Sequence, residues 1–284
     1  MEEELKEVVY SPESLLMMPG KLLRDMVSNL LLSRGLALRI LIRNLSAQYR
    51  QTLLGYLWAF IPPVFMALIW IFLNSQKVFN IGDTGMPYPV FALTGTVLWQ
   101  TFTDAINSPL KLFNDSKSLL VKVNFPYEAL LLAGAGEVLF NFCIRLLLLI
   151  CIFIYYRYIP PATIIIFPLA LLSLVSLGLA TGILLTPLGI LYNDINRGIL
   201  IATQAWFFLT PVIYPVPKSS LASILIELNP VTSILVTSRA WITTGGTPYL
   251  TGFILISIAT FVIVLLGWLL LRLSMPHLIA RISA

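Results

Sequence analysis

Residues 21–73 read KLLRDMVSNLLLSRGLALRILIRNLSAQYRQTLLGYLWAFIPPVFMALIWIFL, and two segments of opposite character meet in them at about Gln51. From Leu38 to Arg50, at about 100° per residue, Leu41, Leu45, Leu38, Tyr49 and Ile42 share one face of a helix, and Ser46, Arg39, Arg50 and Arg43 form the adjacent polar face. A basic amphipathic helix of this kind lies on a membrane rather than crossing it. Residues 53–73 carry no charge and reach the roughly 20 residues needed to span a hydrocarbon core, so the chain turns into the bilayer there. Pro62 and Pro63 near the middle of this span remove backbone hydrogen bonds, which predicts a kink or a break into two short helices.

The rest of the chain has the same character. Of its 284 residues 58% are hydrophobic and 11% charged, against about 25% charged in soluble globular domains. The net charge of +5 suits contact with anionic lipid and is too dispersed to argue for nucleic acid. Cys143 and Cys151 lie in one apolar run and read as small apolar residues, with neither a disulfide framework nor a CxxC metal pair. The N-terminus is acidic (Glu2, Glu3, Glu4, Glu7) and lacks an early apolar run, so no cleavable signal peptide is expected. Residues 1–20 read as a loosely ordered cytoplasmic extension, 21–50 as the interfacial helix and 51–284 as the transmembrane domain.

The fold class expected is an all-α integral membrane protein with six transmembrane helices, near 53–73, 87–106, 129–156, 163–191, 198–213 and 249–271. Residues 107–128, with Lys111, Lys117, Lys122, Asp115 and Glu128, form a polar cytoplasmic return of short helix and turn. The run 129–156 is longer than a bilayer needs, so it is tilted or begins outside the hydrocarbon. Within 214–247, Glu227, Asn229-Pro230 and Arg239 interrupt the apolar pattern, and two short re-entrant helices dipping into the outer face fit better than a further span. Six spans place 13 of the 18 Lys and Arg on the cytoplasmic side together with both termini.

Recognisable catalytic motifs are missing. There is no GxxxxGK[ST] loop, so hydrolysis of ATP by the chain's own P-loop is not expected, and there is no HExxH or GxSxG. The single histidine, His277, sits in the polar tail, where a solvated role is expected. Neither a catalytic residue nor a metal ligand is assigned. Glu137 and Arg145, eight residues apart and about 80° around a helix, lie loosely on one side without touching. Either each pairs with a polar group on a neighbouring helix and fixes packing, or they mark a pathway. Arg39, Arg43 and Arg50 are either snorkelling anchors on anionic lipid or a patch that also receives an anionic lipid head group. Aromatic residues concentrate at Tyr56, Trp58, Phe60, Phe65, Trp70 and Phe72 and again at Trp206, Phe207, Phe208 and Tyr214. Some belong to the core and the interfacial belt. The others could line a conduit, where aromatic faces stack on sugar rings.

The segments RNLSAQYRQTLLGYLWAFIPP (43–63), NFPYEALLLAGAGEVLFNF (124–142), LYNDINR (191–197), WFFLTPVIYP (206–215) and LNPVTSILVTSRAWITTG (228–245) together resemble the ABC-2 type permeases that export polysaccharides such as O-antigen, capsule and teichoic acid. The resemblance implies a homodimer in the bacterial cytoplasmic (inner) membrane, with a polymer conduit at the interface. It further implies two copies of a separate ATPase subunit, which bind ATP and Mg, so that this chain needs no cofactor of its own. Lys117, Lys122, Asn124, Phe125 and Pro126 would then couple to the ATPase. The cargo, a lipid-linked glycan, would approach from the inner leaflet. Two other readings remain: an ABC-2 permease for a small drug or lipid, and a membrane enzyme acting on polyprenyl-linked sugars, for which Glu137 and Asp104 are the available carboxylates.

Overall fold

The computed structural model describes residues 19–50, 53–77, 84–122, 126–192, 194–217 and 221–283, and all regular structure among them is helical. The expected extension over residues 1–18, and Asn124 and Phe125, lie outside these.

The basic amphipathic segment forms two helices, α1 (Pro19–Leu32) and α2 (Arg34–Arg50). Ser33 separates them, yet its amide still bonds to the Asn29 carbonyl and its carbonyl accepts from the Ala37 amide, so the ladder barely breaks. The face of α2 that meets the protein is Ala37 and Ile40 with part of Leu41, and it rests on the long helix α6 described below. Leu38 and Ile42 of the expected apolar stripe point away from the protein and are exposed. An apolar stripe divided in this way suits a helix between a protein wall and lipid.

A short 3₁₀ turn, Gly55–Ala59, leads into α3 (Ile61–Ser75). The prolines of the first apolar run therefore start a helix rather than kink one. Pro62 falls in the first turn, where its missing N–H has no helical partner to lose. The same device opens α4 (Tyr88–Asp115), with Pro89 in its first turn, and α7 (Phe167–Leu191), with Pro168. Between α4 and α7 lie α5 (Lys117–Lys122) and α6 (Tyr127–Tyr155); α8 (Asp194–Leu209), α9 (Leu221–Leu228), α10 (Pro230–Ile242) and α11 (Leu250–Ser283) follow α7.

Three corrections to the sequence reading follow. Residues 107–115 are not part of a polar loop but the last two turns of α4, because Ser108, Pro109, Leu110, Leu112 and Phe113 are buried against neighbouring helices. Residues 194–197, left between the expected spans 163–191 and 198–213, form the first turn of α8, with Asp194 at its positive end. The tail after residue 271 stays helical to Ser283, since Leu271, Met275 and Leu278 bury against a cluster with Leu112, Phe113 and Leu120. The two short helices expected before the last span are present as α9 and α10.

α4 is the central helix. It packs on α6 and on α7, and α7 packs in turn on α11. Small residues set the α4–α7 distance: a Cβ at Gly178 would lie 2.5 Å from the Ala105 Cβ and 2.7 Å from the Phe102 carbonyl oxygen, and one at Gly182 would collide with the Ile106 carbonyl. In lipid, where apolar contact gives little association by itself, such close approach is what holds helices together. Among the described residues, α6, α7 and α11 are long and apolar enough to cross a membrane, and α3 is a shorter apolar helix. Their outward faces, for example Leu255, Ile258 and Phe261 on α11 and Phe65, Leu68 and Phe72 on α3, are exposed and apolar, as lipid contact requires.

Candidate functional site

α4 is buried on nearly every side along its middle, and the residues that stay accessible there are Gln100, Thr103, Asp104, Asn107 and Lys111. Their spacing of three and four residues places them in one stripe. α3 and α8 flank this stripe and leave a groove of about 560 Å³ between them. The groove floor is Thr96, Gln100, Thr103, Asp104 and Asn107; Met66 closes one side, and Leu200, Thr203, Gln204, Phe207 and Phe208 the other, with Trp99 at the base. In a bundle whose other outward faces are apolar, this groove concentrates amide and hydroxyl groups next to aromatic rings. Such a surface can hydrogen-bond a hydroxyl-rich molecule while offering rings to its C–H faces.

Among the described residues the only charge lining the groove is Asp104, and it is neutralised from behind. Arg145 Nη1 on α6 approaches Asp104 Oδ2 at 2.7 Å, and Arg145 Nε reaches the Ala59 carbonyl at 3.4 Å, just before α3 begins. Arg145 thus ties the groove floor to the 3₁₀ turn that launches α3. Lys111 Nζ on α4 donates to Glu137 Oε1 on α6 at 2.9 Å. Glu137 and Arg145 each pair across to α4, the packing alternative among the readings of these two charges. Because Asp104 and Glu137 are each held by a separate cation, they do not form the free carboxylate pair that the enzyme reading needs. Among the described residues no cluster of His, Cys, Asp and Glu could hold a metal ion.

The aromatic residues singled out in the sequence do not share one surface. Phe207 and Phe208 line the groove. Trp206 faces the core instead, edge-on to Phe102, and its Nε1 donates to Asn229 Oδ1 at 3.0 Å. Tyr214 donates its hydroxyl to the Phe208 carbonyl at 2.7 Å. Trp70 packs partly against the core, Phe60 is half-buried, and Trp58 and Phe65 are exposed on the 3₁₀ turn and α3. The side chain of Tyr56 lies outside the described residues. The polar stripe on α4 was the feature missed, and its signal was the period of Thr96, Gln100, Thr103 and Asn107 within an apolar run.

At the end of the bundle that carries α2 and α5, Arg39 and Arg43 are exposed, and Arg43 donates to its neighbour Asn44. Arg50 ends α2, but its side chain is outside the described residues. Lys122 is exposed at the end of α5 and Lys117 half-buried at its start, while Leu119 and Val121 are exposed apolar residues between them. Leu120 anchors α5 to the extended end of α11, and Arg272 Nη1 lies 3.5 Å from the buried Glu128 Oε1 beside Pro126. The same end of α11 therefore contacts both α5 and, through Arg272, the start of α6.

At the opposite end, Asn229 closes the break between α9 and α10. Its side chain accepts from the Val231 amide at 3.1 Å, as a helix N-cap, and donates to Thr210 Oγ1 at 2.9 Å and to the Leu209 carbonyl at 3.3 Å. With the Trp206 bond, this one side chain clamps the short helices to the end of α8, which forms one wall of the groove.

Comparison with known proteins agrees with this architecture. Residues 36–243 match the family model described as ABC-2 type transporter. An O-antigen export system permease protein RfbA from Myxococcus xanthus is 28% identical over 211 residues, covering 73% of this chain and 80% of that protein. Two proteins of the same name from Klebsiella pneumoniae are 25% and 24% identical over 211 and 224 residues, covering 73% and 75% of this chain and 80% and 85% of theirs. Since the family match spans most of the chain and takes in α2, the groove and both short helices, the chain belongs to the ABC-2 type transporter family.

Proposed function

We propose that this chain is the permease half of an ATP-driven exporter that carries a lipid-linked polysaccharide across a bacterial inner membrane. The observation that carries the reading is the groove, a hydrogen-bonding and aromatic trough of about 560 Å³ along the one accessible face of the central helix. A neutral hydroxyl-rich polymer suits it, because its only carboxylate is already paired. The export relatives support the same cargo class. A hydrophobic drug would gain less from a floor of Thr96, Gln100, Thr103 and Asn107.

Six spans follow when α3, α4 and α8 are added to the three long apolar helices. α3, with 15 residues, is about 22 Å long at 1.5 Å per residue. That is shorter than a hydrocarbon core, and the 3₁₀ turn before it makes up the remainder. The end with α2 and α5 is then cytoplasmic, and the α9–α10 end faces outward. A second copy would close the open side of the groove and complete the conduit. Arg39, Arg43 and Arg50 would receive the anionic head group at the inner leaflet. α5, with Lys117, Lys122 and the segment through Asn124, Phe125 and Pro126, would dock on the ATPase and pass its movement to α6 and α11.

Co-reconstitution of the chain with the ATPase that copurifies with it tests this reading. Lipid-linked glycan should raise ATP turnover and accumulate in the far compartment of proteoliposomes. Turnover that responds to small apolar drugs and not to glycan would overturn it.

A further inference from the structure

At the α9–α10 end a cation is buried with no acid beside it among the described residues. Arg239, in the last turn of α10, is 4% exposed. Its Nη1 donates to the Val212 carbonyl at 2.9 Å, and its guanidinium carbon lies 3.7 Å from the centre of the Phe91 ring. Both partners are neutral. Among the described residues no carboxylate comes within ion-pair distance; the acids that do pair, Glu137, Asp104 and Glu128, serve other cations. Carbonyls at the end of α10 favour positive charge there, but a helix terminus offsets only part of the desolvation of a full charge. Of the five N–H donors of the guanidinium, one has a hydrogen-bond partner among the described residues.

Packing fixes this group in place. A Cβ at Gly95 on α4 would collide with the Val212 carbonyl and lie 3.3 Å from Arg239 Nη1, so α4 presses directly on the bonded pair. On its other side Arg239 faces a cavity of about 250 Å³, walled also by Thr84, Thr244, Pro248 and Tyr249. That volume is below the roughly 300–1,000 Å³ of drug-sized pockets, so it takes one small group and not a chain of sugars. A planar guanidinium with unspent donors matches an oxyanion in particular, because two parallel N–H groups meet two oxygens.

We propose that Arg239 and this cavity form a binding site for a single oxyanion group, with phosphate chemistry as its best match. The site is separate from the groove and does not depend on what the groove carries. Either a free anion or the phosphate of a lipid head group can supply the chemistry.

The test uses the full-length protein in a phosphate-free maltoside detergent at constant ionic strength, followed by thermal unfolding. One arm titrates inorganic phosphate; the other titrates short-chain phosphatidylglycerol against the phosphate-free diacylglycerol of the same chain length. In the native protein Tm should rise saturably in at least one arm, and the arm that responds identifies the source. Arg239→Gln should raise the half-saturating concentration at least ten-fold. Thr244→Phe should do the same by filling the cavity from its exposed rim, while leaving the anion-free Tm unchanged, and it decides the matter if Arg239→Gln does not fold. No saturable rise in either arm, or a rise that survives in Thr244→Phe, overturns the proposal.

Discussion

Asp104 and Arg145 show how much a single pair can do in this bundle. The Arg145 side chain is 7% exposed and that of Asp104 28%, so the pair is desolvated on one side and open to the groove on the other. Removing one member of a buried pair leaves the other uncompensated, which costs more than removing both. With Asp104 partly solvated, Arg145→Met should destabilise the purified protein by about 2–3 kcal/mol. Asp104→Asn added to it should restore part of that loss, measured by thermal unfolding in detergent as a double-mutant cycle. Losses that simply add would mean that the two charges do not depend on each other. Lys111–Glu137 should matter less, because Lys111 is half exposed and water screens it. For Glu137 and Arg145 the sequence left two alternatives, a partner on a neighbouring helix or a pathway, since an isolated charge in an apolar run must face protein or water. The partners Asp104 and Lys111 were not legible, because they sit on another helix and only the α4–α6 packing brings them near.

At the scale of elements, the α4–α7 seam is the tightest joint. A side chain at Gly182 would meet the Ile106 carbonyl, and backbone cannot give way as a side-chain tip can. Gly182→Val should therefore cost about 3 kcal/mol through overpacking, whereas Gly198→Val, where a Cβ meets open space, should stay within about 0.5 kcal/mol of the native protein. Comparing their unfolding midpoints checks this, and equal effects would show that the seam is looser than the packing indicates. Helix starts were partly readable: the Asn229-Pro230 break was visible as a turn signal and appears as an N-cap and first-turn proline. Pro62 and Pro63 were legible as a kink or a break into two short helices, and the chain has a 3₁₀ turn that ends just before them and a helix that starts with them. Helix ends were less readable. Residues 107–115 and the tail after 271 look polar in sequence, yet their apolar residues bury against each other across α4, α5 and α11, and that tertiary contact keeps them helical.

Among the described residues the molecule is an apolar bundle with a polar seam, and the seam runs along its most buried helix. Such placement stabilises nothing by itself, since polar side chains facing a membrane cavity cost free energy. The groove is therefore where function is to be sought. The two clamps at its ends, Arg145 at the start of α3 and Asn229 at the end of α8, hold its walls in register. Composition and periodicity disclosed the membrane class and the helical character of the basic segment before α3. They pointed to aromatics as the lining, whereas Trp206 serves as a structural anchor and the amides and hydroxyls of α4 form the floor. The aromatic cluster drew attention because large rings are conspicuous in sequence, while a stripe of Thr, Gln and Asn in an apolar helix is not. The most direct measurement of the central claim, that glycan passes along the α4 stripe, places a photo-crosslinking residue at Gln100 and, as a control, at the exposed Leu172 on α7 outside the groove. During ATP-driven transport in proteoliposomes, adducts to the glycan should form at Gln100 and depend on ATP, with none at Leu172; equal labelling at the two positions, or none at Gln100 while transport proceeds, would contradict the account.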